Sequence, residues 1–187
     1  MQTLSDGIIL YHGSYCEVSA PDLDKCVAKK DFGKGFYLTS SKKQAESFVQ
    51  LSVKKAINAG IIGSECSYGY VSAFRFSEKE HLLVKTYETA NTQWLHCIAG
   101  HRKSGLFTDV VKELEQYDVI IGKIANDATN LTLTTYMVGA YGQVGSQAAD
   151  DICIGMLLPE RLQDQFCFRT QKALECLDFV KGEKIWL

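Results

Sequence analysis

Asp31-Phe32-Gly33-Lys34-Gly35-Phe36-Tyr37-Leu38-Thr39 is the stretch on which the reading of this chain turns, together with Tyr11-His12-Gly13-Ser14 upstream of it. Each is a short apolar, strand-like run with a polar or aromatic residue set among glycines. Glycine allows turns closed to other residues and lets a backbone approach a ligand closely. A histidine and a tyrosine presented this way suit a planar, sugar-bearing ligand. The glycines do not form a Walker loop, because no Gly-x-x-x-x-Gly-Lys-Ser/Thr is present. Nor do they form a Rossmann fingerprint, which needs a third glycine and a helix opening from the turn, whereas the residues after Gly35 read as a strand.

Outward from this stretch, Ile8 to Tyr11 reads as a buried strand and residues 13 to 31 as mostly loop. Phe36 to Thr39 is a second strand. Ser41 is an N-cap for a helix to about Asn58, with Gly60 as its stop. Tyr70 to Phe76 and His81 to Tyr87 read as strands, Thr92 to about Arg102 as a helix, and Val119 to Ile121 as a strand after a short helix. Asn130 to Tyr141 and Gln147 to Leu157 are helical, Phe166 to Phe168 is a strand, and Gln171 to Leu177 is a short helix capped by Thr170. Short strands separated by unequal helices do not make a regular β-α alternation. They predict one α+β domain over residues 1–187, with a split, mainly antiparallel sheet flanked by helices. The apolar end Ile185-Trp186-Leu187 either closes that sheet or meets another chain.

The 187 residues suffice for a real core without staples. With 46% hydrophobic and 22% charged residues and a net charge of −2, the composition is that of an ordinary soluble protein. It supplies no bulk basic field for nucleic acid or acidic membrane. Seven cysteines are an odd number without Cys-x-x-Cys spacing, and several lie in apolar runs, where cysteine acts as a small hydrophobe. With no signal-peptide pattern and no long apolar run, the expectation is a cytoplasmic protein with reduced thiols and no membrane partner. His96, Cys97 and His101 are close in sequence, but the two histidines do not share one helical face, so no metal is expected.

Ile9-Leu10-Tyr11-His12-Gly13-Ser14 resembles the first motif of the ADP-ribosyltransferases of the diphtheria-toxin and poly(ADP-ribose) polymerase branch. Gly33-Lys34-Gly35-Phe36-Tyr37-Leu38 resembles their second. The likeness is greatest to a bacterial domain-of-unknown-function family of that clan, and continues through Tyr117 to Gly122, Ala125-Asn126-Asp127 and Asp164 to Thr170. It implies cleavage of the nicotinamide–ribose bond of NAD, the co-substrate, through an oxocarbenium-like ribose. It implies that His12 bonds a ribose hydroxyl with one ring nitrogen as donor. Gly13 would offer its backbone N–H and C=O to the nicotinamide carboxamide, with Ser14 and Gly35 beside the cofactor. Tyr37 and Phe48 would sandwich the nicotinamide ring. Where related enzymes carry glutamate, this chain carries Gln165, which can hydrogen-bond but supplies neither charge nor base. That favours single ADP-ribose transfer or NAD hydrolysis over polymer formation, and Gln165→Glu is expected to raise hydrolysis if the side chain faces the ribose. The acceptor would be a protein or nucleic acid. Many bacterial members of the clan are toxins or effectors, which implies a small neutralising partner protein.

Each residue also has a plainer reading. His12 at a strand end could be a hydrogen-bonded structural residue, and Tyr37 a strand residue packing on its neighbours. Phe48, at helical spacing with Val49 and Ser52, favours core packing. Asp127 favours capping a helix over orienting substrate, and Arg102 favours a helix C-terminus over a phosphate contact. On a strand, Asp164 would face away from Gln165. Three other functions stand beside the transferase. They are a non-catalytic NAD or ADP-ribose-binding module, a phosphotransferase like that removing a 2′-phosphate from spliced transfer RNA, and a structural domain without ligand. The few basic residues near the motifs argue against the phosphotransferase.

Overall fold

The computed structural model describes residues 3–125, 127–157 and 162–187, with Asp127 and Ala128 described by backbone alone. Two small sheets form its centre. The first has three antiparallel strands in the order β1, β3, β7, where β1 is Ile9–Ser14, β3 Tyr68–Phe76 and β7 Leu177–Trp186. The second has four strands in the order β2, β6, β5, β4, namely Phe36–Leu38, Asp164–Phe168, Val119–Lys123 and Val84–Thr86. All its neighbours are antiparallel except β4 and β5. One bridge joins the sheets: Tyr11 and Thr39 exchange both backbone hydrogen bonds, at 2.8 and 2.9 Å. The architecture is α+β with a split, mainly antiparallel sheet, as the sequence predicts.

Strand alternation sets which residues face the space between the sheets. In β2, Phe36 and Leu38 are buried while Tyr37 lies on the opposite face, half-buried. Leu10, Phe36, Phe74, Phe166 and Phe168 pack between the sheets. Helix α1, Lys42–Asn58, is capped by Ser41, whose Oγ accepts from Gln44 N–H at 3.3 Å. It lays Ala45, Val49, Val53 and Ala56 on β1 and β3. Helix α2, Thr92–Arg102, packs with α3 (Thr108–Leu114), α4 (Asp127–Met137) and α5 (Gln147–Leu157) around Trp94, Leu133 and Tyr136 on the outer face of β5 and β6. A short α6, Gln171–Glu175, precedes β7.

Three expectations change. Strand β1 runs on through Ser14, so His12, Gly13 and Ser14 are strand residues rather than the start of a loop. Only Val84–Thr86 of the proposed His81–Tyr87 strand is a strand. The chain ends in a ten-residue strand, β7, where the sequence pattern left only an apolar tail. Its middle, Asp178 to Lys184, has a charge at most positions and so lacks apolar alternation. Pairing along nine residues of β3, across a bulge at Ala73/Phe74, holds it in place.

Candidate functional site

A cavity of about 1050 Å³ opens where β1, β2, α1 and the start of α4 meet. That is the size of a site for a cofactor-sized molecule. His12, Gly13, Ser14, Gly35, Tyr37, Phe48, Arg102 and Gln165 all line it. The side chain of Asp127 lies outside the described residues, as does Asn126.

His12 sits on the β1 face turned toward the second sheet, its ring 4.6 Å from that of Phe36. Its Nδ1 lies 2.8 Å from the carbonyl oxygen of Tyr37. A carbonyl only accepts, so Nδ1 carries the proton and donates. Burial lowers the pKa of His12, partly opposed by that hydrogen bond. The ring is therefore neutral at pH 7, and Nε2 is a lone-pair acceptor with no partner among the described residues. This corrects the expected role: the nitrogen left for a ligand accepts rather than donates.

Gly13 follows two residues after Tyr11. In an antiparallel strand, N–H and C=O of one residue point to the same edge, and the edge alternates along the chain. Those of Tyr11 point at Thr39, so those of Gly13 point to the same edge, beyond the bridge and away from β3. A donor and an acceptor are thus presented side by side. The missing side chain serves a different end: a Cβ on Gly13 would lie 2.0 Å from the carbonyl oxygen of Ala45. Likewise a Cβ on Gly35 would lie 2.5 Å from Cys167 Sγ. These glycines admit α1 and β6, not a ligand.

Tyr37 is held at its far end. Its hydroxyl accepts from Phe32 N–H at 2.8 Å and donates to the Gly33 carbonyl at 2.9 Å. Burial pushes its phenol well above the ordinary value, so it stays protonated. The ring is a fixed wall. Phe48, for which helical spacing favours the core and the resemblance a place beside the cofactor, is 40% exposed and forms the cavity wall on α1.

Gln165 is buried on β6, opposite Gly122. Its Nε2 donates to Asp31 Oδ2 at 2.8 Å and to the Lys123 carbonyl at 3.2 Å. Asp164 faces the other way and pairs with Lys123 Nζ at 2.8 Å, as strand alternation requires. Arg102 donates to Asp31 through Nε at 2.9 Å and Nη2 at 2.5 Å, to the Ala125 carbonyl at 3.0 Å, and to Asn130 Oδ1 at 3.0 Å. Four of its five N–H groups are thus taken by the protein, which leaves one on Nη1 for any phosphate contact. The cations on the cavity wall without a hydrogen bond or ion pair among the described residues are instead Lys29, Lys30 and Lys55. Burial and the neighbouring Lys55 lower the pKa of Lys30.

The residue that sequence reasoning passed over is Asp31. It lies in the decisive stretch, yet its partners are 71, 94 and 134 residues away. No local signal marks it. His96 and His101 are drawn apart, His96 to Asp150 and His101 to the Cys97 carbonyl. Among the described residues no group of three metal-ligating side chains assembles, and no helix is long and apolar enough to cross a membrane.

The chain is thus an α+β protein with a cavity lined by strands of both sheets and by α1. It belongs to the family described as "Protein of unknown function (DUF3990)", whose model matches residues 8–179. No curated protein matches it.

Proposed function

We propose that this protein is an NAD-dependent mono-ADP-ribosyltransferase. One observation carries the reading: His12, the backbone of Gly13, Tyr37, Phe48 and Gln165, far apart in sequence, line one cavity. The Gly13 donor and acceptor match the two hydrogen-bonding ends of a nicotinamide carboxamide. Tyr37 and Phe48 offer aromatic walls for the ring, each worth about 1 kcal/mol beyond burial. His12 Nε2 accepts from a ribose hydroxyl, and Lys29, Lys30 and Lys55 offset the charge of the diphosphate. In the reaction the nicotinamide leaves with the electrons of the C–N bond. A nucleophile of a protein or nucleic-acid acceptor then bonds to the anomeric carbon and loses its proton. The site's work is positioning and electrostatics. A small neutralising partner protein would act by covering the mouth.

A second reading is a non-catalytic NAD or ADP-ribose-binding module. It is favoured by the neutral amide of Gln165 and by both oxygens of the nearby Asp31 being taken. Incubation with NAD, with released nicotinamide quantified, separates the two. The transferase reading expects release that disappears in His12→Ala. NAD-dependent thermal stabilisation without release, with candidate acceptors present, would select the binding module.

A further inference from the structure

We propose that Asp31 is a positioning residue that turns Gln165 into an acceptor toward the cavity, so that the ligand group bound there is a sugar hydroxyl and not a phosphate, carboxylate or carbonyl. The identity of the sugar as ribose rests on the NAD reading, whereas the orientation of Gln165 does not.

Asp31 is 7% exposed. Its Oδ1 accepts from Arg102 Nε and Nη2, and its Oδ2 accepts from Ala125 N–H at 3.1 Å and Gln165 Nε2 at 2.8 Å. A carboxylate and a backbone carbonyl can only accept. With Asp31 and the Lys123 carbonyl both facing it, the inward atom of the Gln165 amide is the nitrogen. That leaves Oε1, which has no donor among the described residues, as the polar atom Gln165 can offer to the cavity. His12 offers a second acceptor, because its proton is committed to the Tyr37 carbonyl. Two acceptors lining the same cavity favour hydroxyl donors. An anionic group there would meet lone pairs, with the charge of Asp31 behind them.

No other side chain of this size can replace Asp31. An asparagine sets its amide nitrogen either against Arg102 or against the N–H groups of Ala125 and Gln165, and each choice opposes donors. The same geometry reverses the expectation for Gln165→Glu. The new carboxylate would meet Asp31 Oδ2 and the Lys123 carbonyl, so three acceptors converge. They fit together only when a proton is shared between the carboxyls.

Two measurements test this. In the ligand-free wild type, NMR of the Gln165 side-chain amide is expected to show solvent exchange at least about tenfold slower than for exposed glutamines. Free exchange overturns the proposal. Calorimetric titration then compares NAD with analogues lacking the 2′- or 3′-hydroxyl of the nicotinamide ribose. One analogue is expected to bind about tenfold more weakly to the wild type, a difference that shrinks to about twofold in Gln165→Met. Gln165→Glu is expected to bind NAD about tenfold more weakly than wild type at pH 8 and to recover toward pH 5. Equal binding of all three ligands by the wild type, or tight pH-independent binding by Gln165→Glu, overturns the proposal. A wild type that binds no NAD refutes the functional reading alone, and the exchange rate still decides the orientation of Gln165.

Discussion

Two regions use the same chemistry to different ends. Beneath the cavity, His12 bonds to the Tyr37 carbonyl and Gln165 to Asp31, and each pair has an acceptor left over. In the helical lobe, Asp150 joins His96 and Tyr136 in a network that lies away from the cavity. Asp150 is 2% exposed and accepts from His96 Nε2 at 2.7 Å and from the Tyr136 hydroxyl at 2.5 Å. The Tyr136 hydroxyl accepts from Gly145 N–H at 3.0 Å. His96 is stacked on Phe107 at 3.9 Å, and none of the three lines the cavity. Both regions hold a histidine, a tyrosine and a buried aspartate. Function follows the hydrogen-bonding capacity that remains beside an open volume, and residue type alone does not reveal it.

The comparison breaks most sharply at the two histidines. His12→Ala is expected to cut nicotinamide release about 100-fold or more while the protein still unfolds cooperatively. His96→Ala is expected to leave release within about twofold and to lower stability instead. Loss of cooperative unfolding in His12→Ala, measured by denaturant titration, would make His12 a core residue like His96.

The carboxylates give the next effect. Asp150→Ala removes the acceptor for two buried donors and is expected to cost about 3 kcal/mol of stability, read from urea midpoints. Arg102→Leu strands buried Asp31 and is expected to cost a similar amount, about 3 kcal/mol, but also to weaken NAD binding. Equal effects on binding would erase the distinction between the regions.

A smaller effect is read with pH. Burial lowers the pKa of both His12 and His101. Each therefore binds fewer protons folded than unfolded. Its contribution to stability is full above the ordinary value near 6.5 and is lost as the pH falls through the lowered folded value. The melting temperature is expected to drop between pH 7 and pH 5, and to drop less in His12→Gln.

The smallest effect belongs to the exposed wall. Phe48→Ala is expected to change stability by less than about 1 kcal/mol, since 40% of the residue is already exposed, while weakening NAD binding about fivefold. The opposite pattern, with stability lost and binding kept, would return Phe48 to the core.

Most of the elements were legible because local chemistry marks them. Ser41 and Thr170 cap α1 and α6 as the sequence predicts, and alternation around Tyr70 to Phe76 marks β3. Strand β7 was not legible, since its charged middle depends on the partner strand for its conformation. Five of the proposed site residues lay in two short motifs, and their meeting at one cavity follows from the Tyr11–Thr39 bridge between the sheets. Helical spacing could not say whether Phe48 meets a core or the cavity expected from the resemblance, nor that Asp31 folds back onto Arg102 at the end of its helix.

An α+β chain with two glycine-bearing strand motifs and a glutamine on a late strand could be read from the residues alone. Those follow from turn chemistry, capping and periodicity, which act within a few residues. The proton on His12 Nδ1, the turn of Arg102 onto Asp31, the room the glycines make for protein and the hold of Asp31 on Gln165 came from the fold. Each of these depends on hydrogen bonds or close packing between elements far apart in the chain, and no local pattern records them.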